Sequence, residues 1–102
     1  MKEQDKEICI EAVKQNGLAL EYVKEQDKEI RMEAVKQTGM ALQFVEKQDE
    51  EISIEAIKEN ILALVYVKKI TGRIREEVIK NREGIELEFV KKQIERIESS
   101  KK

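Results

Sequence analysis

The chain has 102 residues, of which 41% are charged and 40% are hydrophobic, and its formal net charge is −2. This apolar content excludes a disordered chain, and the length fits one domain with a real core. The balance of 20 basic against 22 acidic residues argues against binding to nucleic acid, which needs a surplus of Lys and Arg at the phosphate backbone.

The sequence contains neither a signal-peptide pattern nor an apolar run long enough to cross a membrane. Its single cysteine, Cys9, cannot form an internal disulfide. These features predict an intracellular, soluble protein of the cytoplasm with no membrane contact, since reducing compartments disfavour disulfides.

A 22-residue unit recurs without insertion from Asp5, from Asp27 and from Asp49, and an altered fourth copy begins at Thr71. The chain has no proline and only four glycines, and strong helix formers dominate it. The sequence therefore predicts an all-α fold in a single repeat domain over residues 1–102. Its parts are repeats 5–26, 27–48 and 49–70, a degenerate capping repeat 71–98 and a polar tail 99–102.

Each unit is predicted to contain two short helices. The first helix begins after a good N-cap residue, which is Asp5, Asp27, Asp49 or Thr71 in the four copies. It is predicted to end at a glycine in the left-handed conformation, and these glycines are Gly17, Gly39 and Gly84. The third copy has Ile61 there, so either Asn60 takes the left-handed conformation or the two helices run together.

The apolar residues of each predicted helix cover a wide arc rather than a narrow stripe. In the first unit they are Ile8, Ile10, Ala12 and Val13, followed by Leu18, Leu20, Tyr22 and Val23. So wide an arc indicates contact with both the previous and the next unit. We therefore expect a short α-solenoid, a right-handed-type stack of helix pairs.

The two ends of the stack are predicted to differ. A longer amphipathic helix from Ile85, with a stripe of Leu87, Val90, Ile94 and Ile97, is expected to cap the C-terminal end. At the other end Ile8 and Ile10 have no obvious cover, which leaves an apolar edge.

The segment from Glu7 to Val23 reads EICIEAVKQNGLALEYV, with echoes over residues 29–45 and 51–67. This signature resembles the short helical repeat known as domain of unknown function 4116, which occurs in tandem arrays. The resemblance implies a helical array and brings no catalytic residue, cofactor or substrate. The chain departs from the pattern at Arg31 and Ser53, which replace the cysteine, and at Ile61, which replaces the glycine.

No group of residues predicts catalysis, a bound cofactor or a metal. The chain has no histidine, which removes the commonest general base and the usual triads, and one cysteine cannot build a zinc site. We therefore expect that the protein is not an enzyme.

Three sets of equivalent residues have both a structural and a functional interpretation. The first set, columns of glutamate and lysine, is either a solvent-exposed face whose charges neutralise each other or an acidic ladder that binds a basic peptide or cations. Its members are Glu11, Glu33, Glu55 and Glu77 beside Lys14, Lys36, Lys58 and Lys80. One aromatic residue per unit is predicted to lie in the core rather than to stack on bases: Tyr22, Phe44, Tyr66 and Phe89. The third set, a variable position between constant neighbours, is a groove edge under loose selection or a partner-binding position: Cys9, Arg31, Ser53 and Arg75.

These features predict a non-catalytic helical-repeat module that acts in protein–protein interaction or as a scaffold, with an unknown protein as partner. The alternative is a structural, self-associating unit. That unit would be a homodimer formed through the N-terminal repeat, or a fragment of a longer array.

Overall fold

The structure, a computed structural model, describes residues 3–81, 83 and 85–99. Within this part of the chain every regular element is helical, as predicted. Five α-helices, α1 to α5, alternate with three 3₁₀-helices, η1 to η3, over the first three units. Their order is α1 Glu3–Gln15, η1 Gly17–Tyr22, α2 Lys28–Gln37, η2 Gly39–Phe44, α3 Glu50–Glu59, η3 Ile61–Tyr66, α4 Gly72–Lys80 and α5 Leu87–Ser99.

The second helix of each unit is a six-residue 3₁₀-helix rather than an α-helix. It is short because an extended residue precedes it and an extended valine follows it, and 3₁₀ hydrogen bonding suits such short segments. The side chain of Asn16 accepts a bond of 3.0 Å from the Leu18 N–H, and Asn60 repeats this contact with Leu62. One residue therefore ends the α-helix and caps the 3₁₀-helix.

The prediction that Gly17 and Gly39 adopt the left-handed conformation is wrong. Each is the first residue of a 3₁₀-helix, and neither has a positive φ. A Cβ on Gly17 would overlap Thr38 and the carbonyl oxygen of Ala34, and one on Gly39 would overlap the carbonyl oxygen of Ala56. Glycine is required there because the next unit approaches the backbone too closely for a side chain.

Both predictions for the third unit are also wrong. Asn60 is extended, with φ −156° and ψ 111°, and it separates α3 from η3, so the helices do not run together. Ile61 is accommodated because η3 contacts α5, whereas η1 and η2 contact the α-helix of the following unit.

The core forms where each unit packs against its neighbours, as the wide apolar arcs predicted. Contacts link α1 to α2, α2 to α3 and α3 to α4, and a second row links η1 to η2 and η2 to η3. The equivalent leucines Leu20, Leu42 and Leu64 are completely buried in the second row. The structure is thus a stack of units; its right-handed sense stays a prediction.

Three of the four predicted N-caps are confirmed. Asp27 and Asp49 each accept a bond of 2.9 Å, from the N–H groups of Ile30 and Ile52, and Thr71 accepts one of 3.2 Å from Ile74. Asp5 instead lies inside α1, which begins at Glu3. Good helix formers surround Asp5, and the helix runs through this segment.

Among the described residues the fourth copy has α4 and then α5, with no 3₁₀-helix between them. Ile74 and Val78 of α4 are buried, but Ile79 is 55% exposed. The longer helix, α5, begins at Leu87 rather than at Ile85, and it packs against η3 as a cap. The predicted roles of Gly84 and of the tail beyond Ser99 lie outside the described residues.

The N-terminal edge is uncovered, as predicted for Ile8, which is 62% exposed, while Ile10 is half-buried. Tyr22 is 80% exposed, so its predicted place in the core is wrong. The equivalent Phe44 and Tyr66 pack against the core, as does Phe89. The first unit differs because no unit precedes η1 in the described chain.

Candidate functional site

The glutamines just before the N-caps Asp27 and Asp49 join consecutive units. The Gln26 amide nitrogen donates a bond of 2.8 Å to the carbonyl oxygen of Phe44, and its amide oxygen accepts one of 3.1 Å from the Glu46 N–H. Gln48 makes the same two bonds, with the same lengths, to Tyr66 and Lys68. Gln26 thereby holds the segment before α2 against the end of η2, and Gln48 holds the segment before α3 against the end of η3. In both cases the segment before the α-helix and the segment after the 3₁₀-helix form the two sides of a groove.

Replacing Gln48 by alanine is expected to lower the free energy of unfolding by about 1–3 kcal/mol, since it removes one partly buried and one exposed hydrogen bond, at about 0.5–1.5 kcal/mol each. Urea denaturation followed by circular dichroism measures the change. Gln43→Ala is the matched control, because the exposed Gln43 side chain bonds only the carbonyl oxygen of Met40 in its own helix. Equal losses for the two variants would contradict a linking role for Gln48.

Two successive grooves lie at equivalent positions along the stack. The first has a volume of about 450 Å³ and the second a volume of about 140 Å³. The first is lined by Lys24, Glu25, Gln26, Asp27, Arg31, Glu46 and Lys47. The second is lined by Gln48, Asp49, Glu50, Ser53, Lys68, Lys69, Thr71 and Ile74. We call these the Arg31 groove and the Ser53 groove.

The variable position therefore lies in the wall of both grooves, and the two residues there differ greatly in size. Arg31 is half-buried and donates from a terminal nitrogen to the carbonyl oxygen of Gln26 at 2.5 Å. Its Nε is buried without a hydrogen-bond partner. The Arg31 side chain therefore turns back onto the segment that precedes α2.

The other three members of the set have different surroundings. Ser53 is only 3% exposed, and Cys9 is a half-buried free thiol that packs against the core. Arg75 donates to a carboxylate oxygen of Glu98 at 2.8 Å, so the capping helix α5 occupies the equivalent surface there. The structure thus places Arg31 and Ser53 in comparable grooves and does not do so for Arg75.

The charges in the grooves are balanced. The Arg31 groove has three basic residues, Lys24, Arg31 and Lys47, and three acidic ones, Glu25, Asp27 and Glu46. The Ser53 groove likewise pairs two lysines with Asp49 and Glu50. Neither groove has the cationic surplus that a nucleic-acid backbone requires.

Ion pairs between units shift pKa values beside the Arg31 groove. Partial burial alone would raise the pKa of Asp27, but the bond from the Ile30 N–H and the contact with Lys6 hold it below its ordinary value. The pKa of Lys6 is raised by its bonds to Glu29 and then Asp27, and the pKa of Lys28 is raised by Glu51. All three groups therefore remain charged near neutral pH.

The columns of glutamate and lysine lie on a different surface. Glu55 and Lys58 approach to 3.7 Å, the one predicted pair within a unit that forms among the described residues. Glu77 accepts instead from the amide of Asn81 at 2.6 Å. Among the residues that the structure describes, acidic and cysteine side chains form no cluster that could hold a metal ion.

Sequence reasoning missed the linking glutamines. The available signal was the recurrence of Gln26 and Gln48 directly before a capping aspartate, 22 residues apart, and its loss at Ile70, after which the described residues contain no 3₁₀-helix. Equivalent polar residues beside a cap were visible, but their partners 18 and 20 residues away were not.

The fold and the grooves define the class: an all-helical stack of short units with solvent-facing clefts at the junctions. The chain belongs to the family described as Domain of unknown function (DUF4116), whose model matches residues 4–26 and 27–70. The match confirms the family that the sequence signature resembles. No curated protein and no solved structure shows a significant similarity to the chain.

None of the helices in residues 3–81 and 85–99 combines the length and the apolar character that a membrane crossing needs.

Proposed function

We propose that the protein is a non-catalytic helical-repeat module that binds a protein partner through the Arg31 and Ser53 grooves. The observation that carries this proposal is the position of a residue that differs in each of the first three units, Cys9, Arg31 and Ser53. Arg31 and Ser53 line the two grooves, while their neighbours in the sequence barely change between these units. A constant scaffold with variable residues in a repeated cleft is how helical-repeat proteins distinguish their partners.

The balanced charge of the grooves favours an extended polypeptide with both acidic and basic side chains over a polyanion. Its basic side chains would face Glu25 and Glu46, and its acidic ones would face Lys24 and Lys47. Such a partner would gain charge complementarity with both sides of the groove.

A non-catalytic role is supported by the lack of histidine in the sequence and by carboxylates that are already engaged. Asp27 caps a helix and binds Lys6, and Glu50 accepts from Thr71 and Arg73. Groups held in this way are poorly suited to moving protons in a reaction. The proposal accordingly includes no cofactor and no substrate.

Affinity capture from extracts of the native source tests the proposal with three forms of the chain. They are the unaltered chain, Arg31→Ser and Lys36→Ala. Serine is the residue that the third unit has at this position, so Arg31→Ser preserves the fold, which circular dichroism checks. Lys36 lies on the exposed glutamate–lysine face and is the control.

We expect a partner that the unaltered chain and Lys36→Ala retain and that Arg31→Ser loses. If Arg31→Ser retained the partner equally well, the binding site would lie outside the grooves. Loss with Lys36→Ala alone would assign binding to the glutamate–lysine face instead.

A further inference from the structure

The first unit exposes the residues that every later unit buries in its junction. Ile30, Ile52 and Ile74 are buried, whereas the equivalent Ile8 is largely exposed. Ala34 and Ala56 are fully buried, whereas Ala12 is exposed. Together with Tyr22, these residues form an apolar surface that we call the N-terminal face. It has the composition of a junction that lacks one of its two sides.

Ion pairs at the formed junctions follow a rule. Lys6 of the first unit binds Glu29 at 2.9 Å and Asp27 at 3.1 Å in the second. The equivalent Lys28 binds Glu51 of the third unit at 3.0 Å.

At the next junction the charges are exchanged, since Glu50 stands in place of the lysine and Arg73 in place of the glutamate, 3.0 Å apart. The polarity of this pair therefore distinguishes the third junction from the first two. At the N-terminal face the equivalent acidic residues are Asp5 and Glu7, both exposed.

A second requirement comes from the glycines. Gly17 and Gly39 abut the backbone of the following unit with no space for a side chain. The third unit has Ile61 at this position, and it is followed by the degenerate copy, whose described residues contain no 3₁₀-helix. A unit can therefore precede a complete unit in this geometry only when it has glycine there.

We propose that the N-terminal face is an acceptor site for a further repeat unit that carries lysine and glycine at the positions of Lys6 and Gly17. The apolar surface supplies the contact area, and Asp5 with Glu7 supplies the charge that a lysine would pair with. Residues 5–26 and 27–48 have this chemistry, whereas residues 49–70, with Glu50 and Ile61, do not. The face thus selects among units of the same family.

A second copy of this chain fits the face poorly. Its C-terminal end is covered by α5, whose Arg96 donates to the carbonyl oxygen of Val65 at 2.9 Å. Two N-terminal faces meeting each other would bring Asp5 and Glu7 against the same residues of the other copy. Lys6 could not neutralise them, because Asp27 and Glu29 already bind it.

An extended chain tests this proposal: residues 1–26 followed directly by residues 5–102. The added unit then precedes Asp5 through the same Lys-Glu-Gln sequence that precedes Asp27. The added tyrosine and Tyr66 are changed to phenylalanine, which the second unit already has at this position, so that Tyr22 of the parent part is the only tyrosine. Acrylamide quenching of its fluorescence reports whether the N-terminal face is covered.

Two parent variants calibrate the measurement. Tyr66→Phe gives the quenching constant of an exposed Tyr22, and Tyr22→Phe gives that of the half-buried Tyr66. In the extended chain we expect the Tyr22 constant to fall to the Tyr66 value. The substitutions Lys6→Glu and Gly17→Ile, each made only in the added copy of the unit, should return the quenching constant of Tyr22 towards the exposed value. Lys14→Glu in the added unit, on the exposed side of α1, is the control and should leave it low.

Three results would overturn the proposal. Tyr22 could remain as accessible in the extended chain as in the parent, or the Lys6→Glu and Gly17→Ile units could cover it as well as the unaltered unit does. The third is a parent chain that light scattering shows to be a dimer and that Ile8→Asp converts to a monomer. That result would identify a second copy as the occupant of the face.

Discussion

Replacing Leu42 by alanine is expected to lower the free energy of unfolding by about 2–5 kcal/mol, the range for a fully buried leucine. Leu42 has no exposed surface, and its helix η2 contacts η1, η3, α2 and α3. The cavity would therefore open at the centre of the stack, where neighbouring units on both sides lose contacts. Urea denaturation followed by circular dichroism gives the loss.

Lys36→Ala is the matched control in the same unit. Lys36 is exposed and its side chain forms no ion pair among the described residues, so its removal should cost well under about 1 kcal/mol. If the two variants lost the same small amount, η2 would not pack between its neighbours as the structure shows.

Replacing Gly39 by alanine is expected to destabilise the protein by about 1–3 kcal/mol, the usual cost of inserting a methyl group into a packed interior. The new Cβ would meet the carbonyl oxygen of Ala56 and approach the Asn60 nitrogen, both backbone atoms of the next unit. Backbone cannot turn aside as a long side chain can, so α3 would have to move away from η2. Thermal and urea unfolding both report this change.

Gly72→Ala is the control, and we expect it to raise the free energy of unfolding rather than lower it. A Cβ on Gly72 meets nothing within 4 Å, and the residue begins α4. Alanine there should stabilise the protein by about 0.4–1 kcal/mol, because it restricts the unfolded chain without a clash. A gain at both glycines would mean that the units lie further apart than in this structure, and a loss at both would mean that α4 needs glycine for its start.

Much of the fold could be predicted from the sequence because it depends on local patterns. The 22-residue period, the apolar arcs and the capping residues Asp27, Asp49 and Thr71 are all visible within one unit and its echo. Helix propensity and capping act over a few residues. The exposed edge at Ile8 followed from the same period, since the first unit has no predecessor in the described chain.

The candidate site was predicted only in part. The variable position was visible as a contrast between copies, and the structure places Arg31 and Ser53 in grooves. One wall of the Arg31 groove comes from residues about 15 positions further along the chain, Glu46 and Lys47. Which residues face each other across a junction depends on the angle between units, and no pattern within a unit specifies that angle.

The sequence by itself determined that the chain is helical, that its units repeat every 22 residues and where most α-helices begin. Only the tertiary structure decided that the second helix of each unit is a 3₁₀-helix, that Gln26 and Gln48 join the units, and that Gly39 is required by contact rather than by backbone conformation. The physical reason is that local propensities set which residues form helices, whereas close approach between units sets how tightly the chain must wind and where a side chain has no room.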